Sequence, residues 1–221
     1  MSVRAFIPRK IKNITVLRFF EFLRKIQKLC VWTKRYAKKH LQANQNVIAN
    51  HGRTRYIEDQ NSYHDMVYGR TKMSYSGCEI IAVYNSLIAL SKPYSLVDLI
   101  NSFEHDGMVL GARFGTSPRA LTDYFIREGY RVLSSTKACD YDDIAGQSDV
   151  IIMTMYNDCT DIMKKVHTIC ISHDDEGYTA HNVYGNGRLV GPYEKVSMLM
   201  ESINNGLAKG IYMIGICKHA G

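Results

Sequence analysis

Acidic residues are almost absent from the first forty positions, where Glu21 stands alone against twelve Lys and Arg. The rest of the 221-residue chain holds sixteen basic and twenty acidic residues, so the net charge of +7 belongs to an N-terminal arm and the remainder is mildly acidic. That split argues against a uniformly basic nucleic-acid-binding domain. No CxxC pair occurs among Cys30, Cys78, Cys139, Cys159, Cys170 and Cys217, and their spacing is irregular. Neither a zinc ribbon nor a disulfide framework is therefore expected, and reduced thiols in a cytoplasm fit better. A run of about 18 apolar residues is missing, which excludes an ordinary membrane-spanning helix. The early apolar stretches are short, broken by charge and followed by no small-residue cleavage site, so no signal peptide is read. Gly185, Gly187 and Gly191 lack the strand-to-helix setting of a phosphate loop, and no nucleotide segment is found, so no cofactor is expected. Cys170 and His173 supply only half of a ligand set, so no metal is expected either.

What the chain does have is periodicity. Residues 14–40 predict one helix with an apolar stripe of Phe19, Phe22, Leu23, Ile26, Leu29 and Cys30, ending near Val31 and Trp32. Arg18, Arg24, Lys25, Lys28, Lys34, Arg35, Lys38 and Lys39 crowd the rest of it. Three roles stay open for this arm: docking onto the domain, which would hide the stripe; lying on an anionic membrane surface; or covering a cleft as a prosegment. The expected division is a basic amphipathic arm over 1–45, a polar linker over 46–64 with Val47-Ile48 as a short strand or turn, and one domain over 65–221.

Within the domain helices come first. Apolar residues at 80, 81, 84, 87 and 88 mark a buried helix that opens at Cys78. Ser74 or Ser76 is expected to cap it, Gly77 to permit close approach, and Glu79 to suit the positive end of the helix dipole. Ser95 caps a second helix that closes near Phe103, and Thr116 or Ser117 caps a third with Pro118 in its first turn and a stop at Gly129. From Tyr130 the period changes. Short runs at 130–133, 149–155, 167–172, 178–183 and 210–216, bounded by Gly, Asp and Asn, read as strands, with a turn at 174–177 and a last helix over 193–204. Asp140, Asp142 and Asp143 read as a helix-capping turn. Helices followed by an antiparallel sheet define an α+β fold.

A cysteine in the first turn of a helix sits where the positive end favours thiolate. Most cysteines are small buried hydrophobes, so Cys78 carries chemistry only if a base and an orienting group converge on it. His167 opens one apolar strand, and Asn182 closes the next, fifteen residues later. His181 adjoins Asn182, but strand alternation sends the two side chains to opposite faces, so only one of them can face the cysteine. His64, His105 and His173 lie in polar surroundings and are expected to be solvated.

This order of cysteine helix, further helices, histidine strand and Asn-ending strand resembles the papain-like cysteine peptidases. It is most similar to the branch that contains the bacterial bacteriocin-processing, double-glycine-leader peptidases. The resemblance runs through Gly77-Cys78-Glu79-Ile80-Ile81-Ala82, Gly115-Thr116-Ser117-Pro118-Arg119-Ala120-Leu121, His167-Thr168-Ile169-Cys170-Ile171 and Tyr178-Thr179-Ala180-His181-Asn182-Val183-Tyr184-Gly185, within residues 65–217. It implies a papain-like fold with Cys78 as nucleophile, His167 as general base and acid, and the Asn182 side chain as the group that orients the imidazole. The backbone N–H of Cys78 would be one oxyanion donor. Where the family places a Gln shortly before the cysteine, this chain has Lys72, with Ser74 and Gly77 completing the expected oxyanion and substrate-binding positions.

The implied activity is thiol-dependent cleavage of peptide bonds through an acyl-enzyme, on a peptide or protein substrate. The expected location is cytoplasmic, with peripheral membrane attachment through residues 14–40 as an option. Lys72 also motivates a papain-like binding module without turnover. The same three residues would equally serve an acyl transferase or deamidase. The oligomeric state is not legible.

Overall fold

The run Val150-Ile151-Ile152-Met153 offers no polar side to solvent, and all four residues are fully buried at the centre of a sheet covered on both faces. The computed structural model describes residues 13–28, 32–48, 55–157 and 166–218, without the side chains of 32–36 and 48. Helices α1 (Asn13–Lys28) and α2 (Trp32–Ile48) precede a short hairpin, β1 (Val67–Tyr68) and β2 (Thr71–Lys72). Then come α3 (Met73–Ser76), α4 (Cys78–Ala89), α5 (Leu96–Asp106) and α6 (Pro118–Arg127). The second half comprises β3 (Arg131–Ser135), α7 (Tyr141–Ala145), β4 (Val150–Tyr156), β5 (Val166–Asp174), β6 (Gly177–His181), β7 (Val190–Tyr193), α8 (Val196–Ser202) and β8 (Lys209–Cys217).

Six strands form one antiparallel sheet in the order β3-β8-β4-β5-β6-β7. Alternation divides their side chains between two clusters. Val150, Ile152, Cys170, Ile214 and Ile216 join Ile80, Ile81, Leu99 and Phe125 of the helical layer, whereas Ile151, Met153, Ile169, Ile171 and Met213 join Tyr141, Val196 and Leu199 behind the sheet. The molecule is α+β, with N-terminal helices followed by the antiparallel sheet, as the periodicity indicates.

Local signals explain several boundaries. Ser95 Oγ accepts from the Asp98 N–H at 3.3 Å, and Pro118 occupies the first turn of α6. Asp142 accepts from Ser197 N at 2.9 Å and Ser197 Oγ at 2.7 Å, tying α7 to the start of α8. The sequence reading misses β1, β2 and β7. Gly191 and Pro192 disguise β7 as a turn, yet Pro is tolerated because β7 is an edge strand.

The arm differs from expectation in three ways. Within the stretch expected as one helix over 14–40, α1 is described to Lys28 and α2 from Trp32 on to Ile48, with residues 29–31 outside the described set. Its docking joins Leu17, buried in the core, to polar contacts. Arg24, 2% exposed, reaches Asp106 at 2.8 Å, Asp123 at 2.7 Å and Glu21 at 3.2 Å, while Gln27 Oε1 accepts from Gly111 N–H at 2.9 Å. Three carboxylates therefore pull the Arg24 face inward, and the aromatic part of the stripe, which the docking alternative would hide, stays out, with Phe19 and Phe22 more than half exposed. Helix α2 is pinned by His40 Nδ1 on Glu104 Oε1 at 2.6 Å and by Asn44, whose amide makes two 2.8 Å bonds with the backbone of Val67. Finally, within the expected linker over 46–64, residues from Tyr56 onward make specific contacts. Among the described residues no helix is long and apolar enough to cross a membrane.

Candidate active site

Cys78 is the first residue of α4, and its N-cap is Gly77. Neither serine caps this helix as expected. Ser76 Oγ bonds Thr71 Oγ1 instead, and the Ser74 carbonyl accepts from Gln60 Nε2 at 3.0 Å. Gly77 does permit close approach, because a Cβ there would lie 2.6 Å from the Met73 carbonyl oxygen. Lys72 is exposed at the end of β2. Among the described residues Lys72 and Ser74 make no hydrogen bond to Cys78 or His167.

The Cys78 sulfur, in a residue 8% exposed, donates to Glu79 Oε2 at 3.3 Å. Burial pushes this thiol well above its ordinary range, and the Glu79 carboxylate pushes it further, while the nearby backbone N–H of Thr168 works the other way. The expected thiolate is thus not favoured in this arrangement. A helix terminus contributes about 0.3–1 kcal/mol, which desolvation and an adjacent carboxylate outweigh. Glu79 is itself pushed up to about 7, by burial first, against the N–H groups of its own backbone and Thr116 and the thiol. Gly115 makes room for it: the position has φ +63°, and a Cβ would meet both carboxylate oxygens within 2.9 Å. Tyr68 and Thr116, joined by a 2.7 Å hydroxyl bond, complete this buried polar group.

His167 is the second residue of β5 and is half-buried. Its Nε2 lies 2.6 Å from the main-chain carbonyl oxygen of Asn182. The ring pKa is lowered by burial, against the raising effect of that bond. The Asn182 side chain goes elsewhere: Nδ2 donates to Gln60 Oε1 at 3.2 Å, and Oδ1 accepts from Gln60 N at 3.1 Å. A left-handed backbone, φ 58°, turns the carbonyl rather than the side chain toward the imidazole. Asn182 therefore meets His167 through an atom that every residue type possesses. Cys78 and His167 share no hydrogen bond among the described residues.

Comparison with protein-family models, curated proteins and solved structures found no match. The chain's own geometry must carry the functional reading.

Residues outside the expected set also shape this site. Glu58 Oε2 accepts from Asn182 N–H at 2.8 Å, and its Oε1 lies 2.5 Å from His181 Nδ1. His181 Nε2 meets Ser172 Oγ at 2.8 Å, and Tyr56 stacks on the imidazole with centroids 3.9 Å apart. His181 is thereby committed to Glu58 and Ser172. Ile57 is locked to α4 by Asn85, which accepts from Ile57 N at 2.8 Å and donates to Ile57 O at 2.9 Å. Residues 56–60 thus form a strap that ties the cysteine helix to the end of β6 and aims Asn182. No local pattern announces Glu58 or Gln60. Asn85 does leave a trace, as a lone amide on an apolar helix that demands a buried partner.

Proposed function

We propose that this protein is a thiol-dependent hydrolase of peptide bonds, with Cys78 as nucleophile and His167 as base, in the manner of papain-like cysteine peptidases. The observation that carries the reading is the Asn182 carbonyl on His167 Nε2. A carbonyl oxygen only accepts, so the ring holds its proton on Nε2 and keeps a lone pair on Nδ1. That is the tautomer able to take a thiol proton. Burial also lowers the ring pKa, which favours the neutral base at neutral pH. The sulfur lies beside the backbone of Thr168 on β5, the strand that also carries His167.

Catalysis then begins when the thiol leaves Glu79 and passes its proton to Nδ1. The sulfur adds to the peptide carbonyl carbon, the C–N bond breaks as the imidazolium protonates the departing amine, and water hydrolyses the thioester with the same imidazole as base. A second reading, a binding module without turnover, draws on the low exposure of Cys78 and its engagement with Glu79.

Cys139 is exposed and competes for any thiol reagent, so the test uses a Cys139→Ser background. Peptide-library turnover by mass spectrometry is compared in that parent, Cys78→Ala and His167→Ala. The expected result is no turnover for Cys78→Ala and a loss of roughly 10²–10⁴-fold for His167→Ala. Absence of turnover in the parent, together with equal Cys78 alkylation rates with and without His167, would overturn the hydrolase in favour of the binding module.

A further inference from the structure

Helix α1 is held from one side. Leu17, Arg24 and Gln27 face the domain, while Phe19, Phe22 and Ile26 are 55%, 60% and 43% exposed, with Arg18 and Lys25 also exposed among them. The acids around this helix are already engaged: Glu21, Asp106 and Asp123 meet Arg24, and Asp106 also meets Lys28 at 2.6 Å. Among the described residues Arg18 and Lys25 belong to none of these ion pairs. The outer face is therefore aromatic and cationic, with its charge uncompensated.

We propose that this face of α1 docks on an anionic lipid bilayer. Phe19 and Phe22, one turn apart, enter the boundary between headgroups and acyl chains, and Arg18 and Lys25 meet the lipid phosphates and carboxylates. Apolar rings interleaved with basic side chains are what such a boundary accommodates, since it is apolar below and negative above. Arg24 contributes indirectly. By fixing the helix to α5 and α6 it orders the docking face beforehand, so little conformational entropy is lost on contact. The inference is independent of the hydrolase reading, because no residue of the candidate active site takes part.

Flotation of the full chain with phosphatidylcholine vesicles, with and without phosphatidylserine, tests the proposal. Each basic residue near an acidic leaflet raises affinity about fivefold, so Arg18→Ser with Lys25→Ser should weaken binding roughly 25-fold. Phe19→Ser with Phe22→Ser should weaken it at least about tenfold. Both pairs are exposed, so thermal midpoints should stay at the parental value. Binding should require phosphatidylserine and fall at high salt. The proposal is overturned by no flotation, by equal flotation on neutral vesicles, or by undiminished binding in both double variants. It is also overturned if light scattering finds a self-assembled species that the Phe19/Phe22 variant dissolves while vesicles fail to bind.

Discussion

Replacing Glu79 by Gln changes the charge beside Cys78 while keeping the side chain's shape. Glu79 is 5% exposed, and burial raises its carboxyl from 4.5 to about 7. Between those values the unfolded chain has lost a proton that the native state still holds, so this group makes stability fall as pH rises across the window. The elevation corresponds to about 3 kcal/mol from one end of the window to the other. Gln does not titrate. Urea unfolding from about pH 4.5 to 8 should therefore show the parent losing about 3 kcal/mol relative to Glu79→Gln. A second readout is Cys78 itself. The variant removes a carboxylate that raises the thiol pKa and places an amide donor at the sulfur, so alkylation near pH 8 in a Cys139→Ser background should accelerate several-fold. Parallel pH slopes in parent and variant, or unchanged alkylation, would refute the argument that Glu79 is buried, protonated near neutrality and antagonistic to the thiolate.

Arg24→Met should destabilise the fold by about 2–4 kcal/mol in urea, less than for a fully enclosed pair because Lys28 still reaches Asp106 and the Asp123 side chain is 54% exposed. Burial alone would raise the Asp106 carboxyl, but hydrogen bonds from Lys28 and Arg24 hold it below the usual range. Its contribution is thus present above about pH 4 and lost as pH falls through the folded value, and the variant should show a shallower acid loss. Asn182→Gly keeps the carbonyl and the left-handed backbone but loses both Gln60 contacts. Turnover should remain within about tenfold of the parent while stability falls by roughly 1–3 kcal/mol. A loss of about 10³-fold at unchanged stability would mean that the side chain, not the carbonyl, orients the ring.

The α+β class was legible because helices and strands impress different periods on the chain, and the short run at 149–155 bounded by turn residues read as a strand, although its burial on both faces did not. Cys78 at a helix start was legible for the same reason, as was the strand opening at His167. How α1 sits was not legible, because hydrophobic period does not say which face turns inward when Arg24 meets three carboxylates, two of them distant in sequence. Asn182 was singled out by its position in the resemblance, but the atom that meets His167 was not. A side-chain amide suggests side-chain chemistry, and only the left-handed φ, set by the clamp from Glu58 and Gln60, brings the carbonyl to the ring. Glu79 looked like an ordinary first-turn acid, since nothing in its neighbours' identities announces a pocket closed by Gly115.

The strap formed by residues 56–60 also sets an order of events during synthesis. Its bonds to Asn85 close a short segment of chain, but those to Asn182 span 122 to 124 residues. A ribosome-bound chain that has delivered α4 and the strap still lacks the strand carrying His167 and the corner that holds its ring. Cys78 is therefore made long before His167. The arrangement around His167 is completed late, when the corner at Asn182 closes onto the waiting strap.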